Sequence, residues 1–144
     1  MTFAYFDTSA LIKRYIREPG SARVISLLRQ HALLSASITP VELVSALSRR
    51  RRARELSEEG FAATVSRFQN ERIRWELVEL GETVLSRVEE IVQGPVPVRA
   101  LDAVHIASLM AFQAASSVQI PLVTGDGRQR DAANEIGLDV VWVG

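Results

Sequence analysis

Short apolar runs alternate along this chain with longer segments whose apolar residues recur every three to four positions. Thr2–Phe6 is β-branched and aromatic and reads as a short buried strand, with Asp7 directly behind it. Leu11, Ile12, Tyr15 and Ile16 recur at helical spacing across Ser9–Arg17, until Pro19-Gly20 stops the segment. Ser21–Gln30 reads as a further helix and Leu33–Ile38 as a second strand. Thr39-Pro40-Val41-Glu42 opens a helix that runs to about Arg54. Ser57–Glu71 is helical, with Phe61, Val65 and Phe68 on one face, and Trp75–Leu80 alternates as a strand does. Glu82–Gln93 is helical up to the breaker Gly94-Pro95-Val96-Pro97, and Leu101–Ala115 is an apolar, buried helix. Pro121–Thr124 is a strand, a helix follows Gly125-Asp126-Gly127 to about Ile136, and Asp139–Val143 is a closing strand. Strands alternating with helices predict a three-layer α/β/α fold around a central, mostly parallel sheet. No linker or repeat divides residues 1–144, which are expected to form one domain.

Composition narrows the picture. With 47% apolar residues the chain can bury a full core. Its formal net charge is zero, so affinity for nucleic acid has to come from local patches. The absence of cysteine excludes disulfides, zinc–thiolate sites and thiol nucleophiles. Lys13 is the only lysine among 17 lysines and arginines. The segment MTFAYFDTSAL lacks the basic and apolar regions of a signal peptide. No apolar run approaches the roughly 20 residues of a membrane span. A cytoplasmic location is the expectation.

Candidate chemistry lies in four acids at strand-to-helix transitions. In open α/β sheets ligands bind outside the carboxyl ends of the strands. Asp7 and Asp126 follow apparent strands directly, and Glu42 lies shortly beyond one. Asp102 opens a helix and must reach the same edge from its first turn. Carboxylates gathered there raise one another's pKa by like-charge repulsion, which a hard divalent cation relieves. Magnesium or manganese takes oxygen ligands and bridges phosphate oxygens, and the chemistry that follows is phosphodiester hydrolysis. Each acid also has a purely structural reading. Asp and Glu stabilise helix N-termini. Thr39-x-x-Glu42 has the form of a capping box with proline at its first helical position. Asp126, between two glycines, fits a turn. Position alone leaves both readings open.

The flanking residues add a resemblance. Tyr5-Phe6-Asp7-Thr8-Ser9-Ala10-Leu11, with Lys13 and Glu18-Pro19-Gly20 downstream, resembles the start of a PIN-domain ribonuclease, in particular the VapC toxins of bacterial type II toxin–antitoxin pairs. Thr39-Pro40-Val41-Glu42-Leu43 and Leu101-Asp102-Ala103-Val104-His105-Ile106-Ala107 resemble the family's second and third acidic motifs. Val123-Thr124-Gly125-Asp126, followed by Ala132-Ala133 and Gly137-Leu138-Asp139-Val140-Val141, resembles its C-terminal motif. The match spans essentially the whole chain. It implies a metal-dependent endoribonuclease that uses Mg2+ or Mn2+ to cut single-stranded or loop RNA, leaving a 5′-phosphate and a 3′-hydroxyl. It implies a cognate VapB-like antitoxin that blocks the pocket, often by inserting a basic side chain, and a homodimer. Carried over, Asp7 and Asp102 are direct metal ligands. Glu42 and Asp126 bind the metal through water, hold a second metal or orient the attacking water. Thr8, Ser9 and Thr124 hold the carboxylates or contact phosphate. Gly125 departs from the family pattern, where many relatives carry a larger residue, and predicts a looser loop around Asp126.

Other features admit two readings. Arg49, Arg50, Arg51 and Arg52, with Arg54, could grip RNA phosphates or simply solvate a helix end. His105 shares a helical face with Asp102 and is either a general base or a satisfied core histidine. Trp75 and Trp142 fall in strand patterns and are read as packing residues. Two other classes compete with the nuclease. A receiver-like signalling module also gathers acids around magnesium, but it needs a late lysine, and none follows Val123. A PIN-like domain that binds RNA or protein without cutting keeps the fold and loses the chemistry.

Overall fold

The computed structural model describes all 144 residues. Five short strands, β1 (Phe3–Phe6), β2 (Ala32–Ala36), β3 (Glu76–Val78), β4 (Leu122–Thr124) and β5 (Val140–Trp142), form one sheet. Its order is β3-β2-β1-β4-β5, and every pairing is parallel. Seven α-helices connect the strands: α1 (Thr8–Leu11), α2 (Ser21–Gln30), α3 (Thr39–Arg52), α4 (Glu58–Glu71), α5 (Glu82–Gln93), α6 (Ala100–Ser116) and α7 (Gly127–Ile136).

Strand periodicity sorts the core into two layers, because successive side chains point to opposite faces. Ala4 and Phe6 of β1 pack with Leu11, Val24, Leu43, Leu47 and Phe68, contributed by α1 to α4. Tyr5 points the other way, towards Leu34, Leu122 and the residues Val84, Val88 and Val104 of α5 and α6. Ala133 of α7 joins this second layer. A parallel sheet covered on both faces is the expected three-layer arrangement.

Helices α2 and α5 run over the predicted residues. The helix predicted over Ser9–Arg17 stops early: α1 ends at Leu11 and passes into a 3₁₀ turn, Ile12–Arg14. The Lys13 ammonium bonds back to the Pro19 carbonyl at 2.7 Å, which folds the chain onto itself. The capping box at Thr39 does not form. The N-cap is Ile38, without a side-chain bond, and Thr39 lies inside the helix. Its hydroxyl pairs with Ser35 Oγ at 2.7 Å, and Ser35 donates to the Phe6 carbonyl at 2.6 Å. Buried hydroxyls between strands need partners more than a helix end near solvent needs a cap.

An ion cluster ties the 3₁₀ turn to the end of α4. Glu71 accepts two bonds from Arg14, at 2.9 and 3.2 Å, and one from the Tyr15 hydroxyl at 2.8 Å. Burial alone would raise the Glu71 carboxyl, but Arg14 and Tyr15 outweigh it and hold the group below its ordinary 4.5. A depressed carboxyl stabilises the fold above its unfolded value, and that stability is lost as pH falls through the folded value. Glu71→Gln therefore costs about 1–2 kcal/mol at pH 7. In urea unfolding the gap between variant and parent should close below pH 4.5; a gap independent of pH would refute the assignment.

Candidate active site

The sheet order places the site. From β1 the chain moves outward to β2 and β3, then crosses back to lay β4 on the other side of β1. Connections therefore diverge between β1 and β4, and a crevice opens at the carboxyl ends of these two strands. Asp7 leaves β1 there, and Thr124, Gly125 and Asp126 leave β4.

Asp7 is 3% exposed. Its Oδ1 accepts from Ser9 Oγ at 2.6 Å and from the Ala10 amide at 2.9 Å, so it also caps α1. Its Oδ2 accepts from the Thr124 hydroxyl alone. Burial pushes the carboxyl above its ordinary value, against the pull of His105 and these donors. Oδ1 is saturated, while Oδ2 keeps a lone pair for a ligand. Ser9 and Thr124 do more than hold Asp7. Ser9 Oγ accepts the Gly125 amide at 2.9 Å, and Thr124 Oγ1 accepts the Asp126 amide at 3.1 Å. The two hydroxyls lock the β4 loop onto the end of β1.

Glu42 points into the crevice from the first turn of α3. Its Oε1 takes bonds from the Thr8 hydroxyl and from His105 Nε2, both at 2.7 Å. A carboxylate only accepts, so Nε2 carries the proton. His105 Nδ1 meets the Tyr5 hydroxyl at 2.8 Å. Burial keeps that phenol protonated, well above 10. Burial acts to raise the Glu42 carboxyl, yet His105, Thr8 and the charge of Arg49 bring it below its usual range. Glu42 is thus an ionised group whose Oε2 remains free. His105 is 4% exposed, so it is a satisfied buried histidine and also a direct neighbour of the site. His105→Ala strips Glu42 and Tyr5 of their shared partner and, on the RNA substrate the resemblance implies, should lower kcat/KM roughly 10–100-fold. Tyr5→Phe leaves the Glu42 bond and should cost less; equal losses in single-turnover cleavage would contradict this ordering.

Asp102 sits in the first turn of α6, as expected, and Asp126 caps α7 by accepting the amides of Arg128 and Gln129 at 2.8 and 3.3 Å. Between them lies a residue the sequence reading did not single out. Arg99 bonds Asp102 Oδ2 through Nε at 3.0 Å and approaches Asp126 at 3.7 Å. The i,i+3 spacing of Arg99 and Asp102 was the available signal.

Gly125 does not loosen the loop. A Cβ there would stand 2.7 Å from Lys13 Cε. Lys13 is itself pinned by the Pro19 carbonyl and by Glu18 at 3.1 Å. The missing side chain is what lets the buried lysine support the loop. Of the arginine run, Arg50 is engaged with Glu18 at 2.8 Å, and Arg51 lies over Phe61 and pairs with Glu58. Arg49 bonds only Ser45 on its own helix and turns its field on Glu42, and Arg52 is exposed.

The side chains form two subgroups, Asp7 with Glu42 and His105, and Asp102 with Asp126 across Arg99. No three Asp, Glu or His groups lie at the spacing of one ion's ligands. Their chemistry nonetheless fits a hard divalent cation. The donors are carboxylate and hydroxyl oxygens, and the Arg99 guanidinium is a stand-in cation between Asp102 and Asp126. Arg99 is 62% exposed.

Comparisons with known proteins agree with this fold. Across 144 residues the chain is 28% identical to "Ribonuclease VapC46" of Mycobacterium tuberculosis (strain ATCC 25618 / H37Rv), covering 98% of each. The fold is similar to that in a toxin–antitoxin complex from Klebsiella pneumoniae, with a TM-score of 0.70 at 15% identity over 98% of both chains. It is similar to FitAcB from Neisseria gonorrhoeae, with a TM-score of 0.72 at 17% identity over 96% of both. It also resembles VapBC2 from Rickettsia felis bound to a promoter DNA fragment, with a TM-score of 0.68 at 15% identity over 99% of this chain and 100% of that one. The PIN domain profile matches residues 4–135, taking in all four acids and both strands that present the crevice, and the chain therefore belongs to the PIN domain family.

Proposed function

We propose that this protein is a metal-dependent endoribonuclease and the toxin half of a toxin–antitoxin pair. The observation that carries the reading is the acid-lined crevice at the β1–β4 switch point of a PIN fold. Asp7 and Asp102 would hold Mg2+ or Mn2+, with Glu42 and Asp126 contributing directly or through water. A bound divalent ion supplies Lewis-acid stabilisation of charge on the phosphoryl group. The chain's own residues do the rest. Ser9 holds Oδ1 of Asp7 and Thr124 holds Oδ2, which keeps a lone pair to offer. Glu42, kept ionised by His105, Thr8 and Arg49, offers its free Oε2 to orient the attacking water and take its proton. The water oxygen bonds to phosphorus, the bond to the 3′-oxygen breaks, a solvent water protonates that departing oxygen, and a 5′-phosphate and a 3′-hydroxyl remain. Arg49 and Arg52 are available to RNA phosphates, whereas Arg50 and Arg51 are already paired.

An antitoxin fits the face beside Glu42. A groove of about 480 Å³ between α3 and α4 is lined by Val41, Val44 and Arg72, and Val41 is 71% exposed. A partner seated there could reach the crevice with a basic side chain. Exposed Leu85, Val92 and Leu101 on α5 and α6 supply an apolar face for a second copy. No helix is long and apolar enough to cross a membrane.

The test is cleavage of a mixed cellular RNA pool by purified protein. Magnesium or manganese should support cutting, and EDTA should stop it. Undiminished cutting in EDTA would overturn the metal dependence, and no cutting of any RNA would overturn the nuclease.

A further inference from the structure

A second cavity, of about 490 Å³, opens beside Asp102. One wall is the loop Val96-Pro97-Val98. The other is a single face of α7, where Arg128, Asp131, Ala132 and Glu135 follow one another at i, i+3, i+4 and i+7. Arg99 and Asp102 also line it, and Arg99 reaches on to Asp126 at 3.7 Å, so the cavity adjoins two of the four acids. Its volume lies in the range of small-ligand pockets.

Resting on the nuclease reading, we propose that this cavity seats the nucleobase next to the scissile phosphodiester and favours guanine. The lining decides which part of RNA can enter. Val96, Pro97, Val98 and Ala132 offer apolar surface to the flat face of a base. Asp131 and Glu135 repel a phosphate, so the backbone stays at the rim. There Arg128, which has no ion-pair partner within the fold, is free to meet it.

The same acids read the base edge. Asp131 gives Oδ1 to Arg130 at 3.0 Å and keeps Oδ2, and Glu135 is exposed and has no ion-pair partner. Carboxylates accept and never donate. Guanine presents two adjacent donors, N1–H and the 2-amino group, which match the two oxygens of one carboxylate. Adenine and cytosine present one amino group each. Uracil presents a single N–H between two carbonyl oxygens, which a carboxylate repels. One bidentate pair of this kind is worth about 1–3 kcal/mol of discrimination, or roughly 5- to 150-fold.

The experiment is cleavage-site sequencing on a randomised single-stranded RNA pool. The parent should show guanine enriched at least about fivefold at one fixed position flanking the cut, with uracil depleted there. The double variant Asp131→Ala/Glu135→Ala changes two exposed side chains and should bring that enrichment below about twofold while other positions keep their preferences. Far-ultraviolet circular dichroism shows that the variant is folded. Cutting with no preference at any flanking position, or a preference that survives the double variant, overturns the guanine subsite while the nuclease stands. A variant that loses a copurifying antitoxin but keeps its guanine preference assigns the cavity to a protein partner and also overturns it. No cutting by the parent overturns both readings.

Discussion

Asp7→Asn should yield a protein that folds, melts higher than the parent without divalent metal, and cuts RNA roughly a thousandfold more slowly. The loss of rate follows from losing the one buried carboxylate at the floor of the crevice. The gain in stability follows from the same burial. The folded-state pKa of Asp7 lies above its unfolded 3.8, so ionisation opposes folding as pH rises between the two values. Above the folded value the whole of that cost is present. Asparagine removes the charge and keeps an oxygen for Ser9 and Ala10, while its amide can donate to the Thr124 hydroxyl. A rise on the order of 3 °C in Tm in EDTA corresponds to about 1 kcal/mol for a chain of this size. Magnesium should then raise the Tm of the parent and not of the variant, because only a state that binds the ion gains from it. A variant that melts lower in EDTA, or retains a tenth of the activity, would refute the role assigned to Asp7.

Gly20→Ala should destabilise the protein by about 4 kcal/mol, with a urea midpoint shifted accordingly. Gly20 has φ +91°, and a Cβ there would lie 1.9 Å from the Val143 carbonyl oxygen. The obstacle is backbone of the segment after β5, which cannot rotate away as a side chain does. Left-handed geometry costs an L-residue about 1–2 kcal/mol, and forced overpacking adds 1–3 or more. The damage should also reach the site, since the neighbouring Pro19 carbonyl anchors Lys13 beneath Gly125. A change below 1 kcal/mol would mean that the tail yields easily.

Local signals carried most of the fold. The Ser21–Gln30 helix lies between Gly20 and a strand, and Glu82–Gln93 between Gly81 and the Gly-Pro loop, so their ends are written in adjacent residues. The segment after Leu11 misled because its apolar spacing is helical, while the tie from Lys13 to Pro19 is made by the folded chain. The acids were legible through their flanking motifs. Their partners were not: Tyr5 and His105 are one hundred residues apart, and only the side-by-side packing of β1 and α6 makes their bond. Thr39 and Glu42 matched a local motif, but Thr39 turned back to Ser35 and Glu42 was claimed by Thr8 and His105, distant in sequence. Adjacency of β1 and β4, which creates the crevice, is likewise a property of strand order that no local pattern encodes.

The support beneath Gly125 also settles how this protein responds to amine chemistry. Lys13 is the only lysine, it is 7% exposed, and its ammonium is engaged by Pro19 and Glu18. No lysine of these 144 residues is therefore open to an activated ester, and no cysteine competes for a maleimide. Thr2 is exposed and precedes the amino end of β1, while the acids gather at its carboxyl end. A cysteine placed at Thr2 is thus a unique address for a fluorophore, at the opposite edge of the sheet from the crevice.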